Sequence, residues 1–107
     1  MAQLTTRQHR VDTVAFLRAD GTPGEITPNS IVVTASDAAV LTATLLADGT
    51  VDVVAVAVGT GASYTVTAGT AAGDISGMPP EATDVVVDPR DAVATQVQVT
   101  LGTPADR

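Results

Sequence analysis

Short valine- and threonine-rich segments recur along the chain, each closed by glycine, proline or aspartate, and this rhythm constrains the fold more than any other feature. Seven segments qualify as strands: 10–18, 30–35, 40–46, 51–58, 62–68, 83–87 and 93–101. Branching at Cβ costs little on a pleated surface, so valine and threonine favour strands there. The alternation is clearest in 93–101, where Val93, Thr95, Val97, Val99 and Leu101 share one face and Ala94, Gln96, Gln98 and Thr100 the other. That pattern predicts a half-buried antiparallel strand. Ala62, Tyr64, Val66 and Ala68 alternate in the same way with Ser63, Thr65 and Thr67. Val93, Val97, Val99, Tyr64, Val66 and Phe16 are expected to face the core of an all-β domain, a sandwich or barrel.

The punctuation predicts how the strands connect. Asp48-Gly49 lies between two apolar runs and supplies the positive φ angles of a tight hairpin. Asp20-Gly21 repeats the signal, but Pro23, Gly24 and Pro28 follow, so this stretch reads as a longer loop. Residues 68–84 contain glycines and two prolines without a period and read as the longest irregular connection. Residues 36–48 could form a helix capped by Ser36, but the Thr42-Ala43-Thr44 alternation and the following turn favour a strand.

At 107 residues the chain fits one domain able to bury its own core. With no cysteine, neither disulfides nor thiolate metal sites are available. Twelve acids against five arginines give a formal charge of −7, and residues 19–89 carry no basic side chain. Such a surface repels phosphate backbones and anionic headgroups, so nucleic acid and membrane are excluded as partners. No apolar run has the length of a signal peptide or a membrane span, and the chain is expected to be cytosolic when made. Residues 1–12 have few apolar side chains and read as an N-terminal arm, with the domain proper over 13–107.

Little here points to catalysis. His9 is the single histidine and has no partner at a catalytic spacing, and Ser76 in "DISGM" lacks the glycine of a nucleophile elbow. Asp84, Asp88 and Asp91 could gather around calcium, but their spacing fits no EF-hand and suits a solvated strand end better. Phe16 and Tyr64 are the only aromatic residues, too few for the stacking sites of sugars or single-stranded nucleic acid. The glycines of "VGTGAS" open onto a strand and read as turn glycines. The expectation is a protein that is not an enzyme, with no cofactor and no metal requirement.

Residues 34–69 carry Ser36-Asp37, Val40, Asp48-Gly49, Val51, Val56, Gly59-Thr60 and Tyr64-Thr65-Val66-Thr67 in order. This succession resembles the second half of bacterial immunoglobulin-like domains of the Big-2 type. Residues 14–26 are similar to the opening strand and loop of short immunoglobulin-like proteins encoded among tailed-phage structural genes. Ile31-Val32-Val33 stands where that family has a tryptophan, and residues 70–107 continue past its usual end. The resemblance implies an immunoglobulin-like β-sandwich of about seven strands.

Such modules usually sit on surfaces, and a phage particle would display one without a secretion signal. The resemblance therefore implies a virion structural protein, assembled in the host cytoplasm and decorating a capsid. Its partner would be the major capsid protein or another virion protein, with a homo-oligomer possible. The arm would make the contact through Arg7, Arg10 and Arg18, with the loop 69–83 as the second candidate. An adhesion module binding a host glycan or surface protein is the alternative, and a piece of a larger secreted bacterial protein is a third reading.

Overall fold

Extended segments become strands wherever a second segment can take up their main-chain hydrogen bonds, and among the described residues nine do so. The computed structural model describes residues 2–106. In chain order the strands are β1 (Ala2–Thr5), β2 (His9–Thr13), β3 (Val32–Ala35), β4 (Leu41–Leu45), β5 (Thr50–Ala55), β6 (Gly59–Ala62), β7 (Tyr64–Thr70), β8 (Gly73–Gly77) and β9 (Thr83–Val86). A single 3₁₀ turn follows at Pro89–Asp91, and among the described residues there is no α-helix. The fold is all-β, built from three small sheets with strand orders β1-β9-β6, β2-β5-β4 and β3-β7-β8. All pairings are antiparallel except β1 with β9.

The core lies where these sheets converge, around Leu4, Leu41, Val51, Val53, Tyr64, Val66 and Val85. Strand β5 shows why: Val51, Val53 and Ala55 are buried while Asp52 and Val54 are not. Each fully buried aliphatic side chain contributes roughly 1.5–3 kcal/mol. In β7, Tyr64, Val66 and Ala68 point inward as the alternation predicts. Phe16 is partly buried and packs against the same cluster.

The Asp48-Gly49 hairpin forms as expected between β4 and β5. Gly49 adopts φ +85°, and the Asp48 carboxylate accepts from both the Thr50 amide at 3.1 Å and its hydroxyl at 2.5 Å. The Asp20-Gly21-Thr22 stretch builds the same turn, with Gly21 at φ +87° and Asp20 accepting from Thr22 at 3.0 and 2.6 Å. The long loop expected there is therefore a tight hairpin first: the Arg18 amide donates to the Thr22 carbonyl at 2.7 Å and the Gly24 amide to that of Phe16 at 2.8 Å. Two identical Ala-Asp-Gly-Thr sequences give one local geometry, whatever follows them. The helical alternative for 36–48 is not adopted.

Three expectations need correction. The segment 68–84 is not wholly irregular, because Gly73, at φ +126°, lets the chain reverse and pair β8 with β7. All five residues of β8 are exposed, so no burial alternation marks it. The expected arm 1–12 is not detached: β1 runs parallel to β9 with Leu4 buried, and β2 pairs with β5. One leucine and a row of main-chain hydrogen bonds are enough to fix it. Met1, where that arm begins, lies outside the described residues.

The third correction concerns 93–101. These residues form no strand, and Val93, Val97 and Val99 are not in the core but 82–90% exposed. Strand β9 is already flanked by β1 and β6, and the 3₁₀ turn carries the chain past the end of that sheet. Residues 92–106 then run on without regular structure. The molecule consequently measures 89 × 26 × 23 Å with a radius of gyration of 22.0 Å, against about 13 Å for a compact chain of this length.

Candidate functional site

The polar side chains on the β1–β2 side form three local clusters. At the base of the tail, Asp88 accepts from the Arg90 amide at 2.9 Å, from Arg90 Nε at 2.8 Å and from the Thr5 hydroxyl at 2.8 Å. These donors, the Arg90 side chain first, hold the Asp88 carboxyl far below the usual carboxylate range. Arg7 forms a two-pronged pair with Asp91, its Nε at 2.7 Å from Oδ2 and its Nη2 on Oδ1. The Arg7 guanidinium keeps the Asp91 carboxyl low. Charge-assisted, bidentate pairs of this kind are the stronger hydrogen bonds. The segment after β1 is thereby clamped to the first turn after β9.

The second cluster lies on the inward face of β2, where Arg10 and Asp12 occupy positions that alternation would give to apolar residues. Arg10 donates to both Asp12 oxygens at 2.6 and 3.0 Å and to the Thr83 hydroxyl at 3.0 Å. Tyr64 donates its hydroxyl to Asp12 Oδ2 at 2.6 Å. Burial pushes the Asp12 carboxyl up, but the hydrogen bonds from Arg10 and Tyr64 outweigh it and leave it below its ordinary value. Burial and the neighbouring carboxylate push the Tyr64 phenol up. Inward-pointing charge on an edge strand discourages promiscuous pairing, and here it also satisfies the core tyrosine. Outside, His9 Nδ1 sits 2.8 Å from Asp52 Oδ1, exposed and without a nucleophile in the contact.

The predicted interface residues are thus not gathered into one patch. Arg7 and Arg10 spend their charge on Asp91 and Asp12. Arg18 belongs to the 16–24 hairpin and, among the described residues, makes no ion pair. The three aspartates weighed as a calcium group are likewise separate in role: Asp84 accepts from the Gly61 amide at 2.9 Å, Asp88 caps the turn and Asp91 binds Arg7. Among the described residues no group of three or more His, Cys, Asp or Glu side chains is placed to hold a metal. No described helix is long and apolar enough to cross a membrane.

What sequence reasoning missed is a groove of about 300 Å³ between the chain leaving β2, Thr13–Leu17, and the segment Ile75–Pro80, floored by Tyr64 and Val66. Every residue lining it is uncharged. One wall begins at Thr13, the last residue of the edge strand β2, and continues beyond it, while the other begins with Ile75–Gly77 of the edge strand β8 and continues through Met78–Pro80. Leu17, Ile75 and Met78 are exposed along it. The only hint in sequence is the run "ISGMPP", which holds no charge in an acidic chain. Comparison with known proteins found no matching family model, no matching curated protein and no matching solved structure.

Proposed function

We propose that this chain is a non-enzymatic virion structural protein, a capsid decoration protein that displays an acidic, immunoglobulin-like β-sandwich on a phage head. The observation that carries the reading is how the surface is divided. The clustered aspartates are committed to turns and ion pairs, whereas the tail 92–105 carries no charged side chain and exposes Val93, Val97, Val99 and Leu101, and one groove is lined wholly by uncharged residues. A surface of that kind joins other proteins; it offers no set of acid, base and nucleophile to transform a small molecule. The resemblance over residues 34–69 adds support, because the Asp-Gly turn and the strands on either side of it fall in the order that the family has.

The partner on this reading is the major capsid protein or another virion protein. Arg7 and Arg10 are committed within the chain, so an electrostatic contact with an acidic shell runs through Arg18 and its hairpin instead of residues 2–12. The test is gold-labelled antibody against this chain, applied to particles released by the host that carries the gene. Regular labelling of heads is expected. Protein found only in the host lysate, with bare particles, overturns the reading.

A further inference from the structure

The exposed tail and the uncharged groove match each other in chemistry and in dimensions. Residues 92–105 contain no charged side chain in a chain of net charge −7, and Val93, Val97, Val99 and Leu101 are 82–92% exposed. An alternating strand is half of a structure: one face needs a core and its main chain needs a ladder. The groove lacks the other half. It runs between the chain that leaves β2 and the edge strand β8 with the segment after it, is lined only by uncharged residues, and has Tyr64 and Val66 of the core as its floor. One wall is five residues long and the other six, or roughly 17–20 Å of extended chain. Alternate residues of a strand are about 6.7 Å apart, so the groove takes three consecutive inward positions, as Val97, Val99 and Leu101 provide.

Direction decides whose tail enters. Strands β1 and β9 run parallel from the Ala2/Thr83 end to the Thr5/Val86 end. The tail departs from the second end, where Asp88, Arg90, Arg7 and Asp91 lock its first turn, and Ala92 continues extended at ψ 133°. The groove's Pro79 and Pro80 belong to the connection that enters β9 at the first end. Within one molecule the tail, which leaves Ala92 extended and lies exposed over 93–101, would have to turn back along β9 to reach the groove. A second molecule meets no such obstacle.

We propose that residues 93–101 of one copy insert as a strand into the groove between Thr13–Leu17 and Ile75–Pro80 of a second copy, so that each domain is completed by its neighbour's tail. Main-chain hydrogen bonds to the open edge of β8 supply affinity, and the burial of Val97, Val99 and Leu101 against the groove fixes the register. Donor and acceptor lie on different parts of the molecule, so the exchange closes reciprocally in a two-fold dimer, closes into a larger ring or continues as a chain. Tail-to-groove exchange rests on the geometry alone and stands whether or not the protein is displayed on a virion.

The experiment uses two full-length variants. Val97→Asp with Val99→Asp spoils the tail, which contributes nothing to the core; Met78→Asp spoils the groove at a side chain already 62% exposed. Sedimentation equilibrium should show that the unaltered chain self-associates with increasing concentration, while each variant alone is a monomer with unchanged circular dichroism. Mixed together they should form a one-to-one dimer that grows no further, since one brings an intact tail and the other an intact groove. Leu17→Asp, on the opposite wall, serves as the groove variant should Met78→Asp unfold. A wild-type chain that stays monomeric at 200 μM, association that survives in either variant, or a mixture that stays monomeric overturns the proposal.

Discussion

Replacing Tyr64 with phenylalanine removes one hydroxyl from the most connected polar cluster of the domain and leaves the ring in place. The ring is 4% exposed and packs in the core, so no cavity of consequence results. What is lost is the 2.6 Å donation to Asp12 Oδ2. A hydrogen bond to a charged group is worth about 1.5–3 kcal/mol. Two features of this site pull the cost toward the lower end: Asp12 is partly solvated and keeps its pair with Arg10. A loss of about 1–2 kcal/mol is expected, which for a domain of this size lowers Tm by roughly 4–12 °C. Urea titration at pH 7 is the assay, with an unchanged m-value as the sign that only stability has moved.

The same substitution carries a pH signature that a packing defect would not. In the folded protein the phenol is held above its ordinary value of 10.0, so the neutral hydroxyl is the form that the fold stabilises. That contribution is complete below about pH 10 and is lost as pH rises toward the folded value. Wild type should therefore destabilise at alkaline pH more steeply than Tyr64→Phe, and the two should converge. A variant within 0.5 kcal/mol of wild type at pH 7, or a gap that does not narrow above pH 10, would refute the role given to this hydroxyl.

Two further outcomes test other parts of the structure. A Cβ at Gly59 would lie 2.5 Å from Val40 Cγ2; Gly59→Ala should cost about 1–3 kcal/mol by overpacking, and thermal melts should show Val40→Ala recovering part of that loss in the double variant. Asp88, Asp91 and Asp12 all have folded pKa values below the ordinary 3.8, so their stabilisation is complete above about pH 5 and lost progressively as pH falls through 4 and below; Asp88→Asn should flatten that acid limb in a Tm-against-pH series, and an unchanged limb would show that the clamp does not contribute.

The parts of the fold legible in sequence were those fixed by local chemistry. Asp48-Gly49 and the inward set Tyr64, Val66 and Ala68 depend on a turn and a two-residue period, and both are where the pattern puts them. Strands β1 and β8 were not legible because their existence is decided by partners. Leu4 is the only residue of β1 in the core, and β8 has none; a neighbour in space holds each of them, and nothing in their own periodicity does. The charged interior of β2 escaped for a related reason. Arg10 read as a contact to a partner and Asp12 as the end of the arm, yet each neutralises the other above a tyrosine that needs an acceptor. The groove escaped because its two walls are about sixty residues apart and meet only through the packing of separate sheets.

Residues 93–101 teach the opposite lesson. Their alternation is the most regular in the chain, and it is the one pattern for which this molecule supplies no partner. Periodicity reports that a segment is suited to an edge and a core; it does not report whose. Leaving Val93, Val97, Val99 and Leu101 in water forgoes the roughly 1.5–3 kcal/mol that burying each side chain would contribute. The clamp of Thr5, Arg7, Asp88, Arg90 and Asp91 nevertheless fixes the base of the tail and aims it outward. The same contacts that fasten the segment after β1 to this turn also fix where the tail begins and the direction in which it leaves. Such ordering is useful to a strand that has to present one face to a second molecule, since a fixed base reduces the entropy still to be lost when the strand docks.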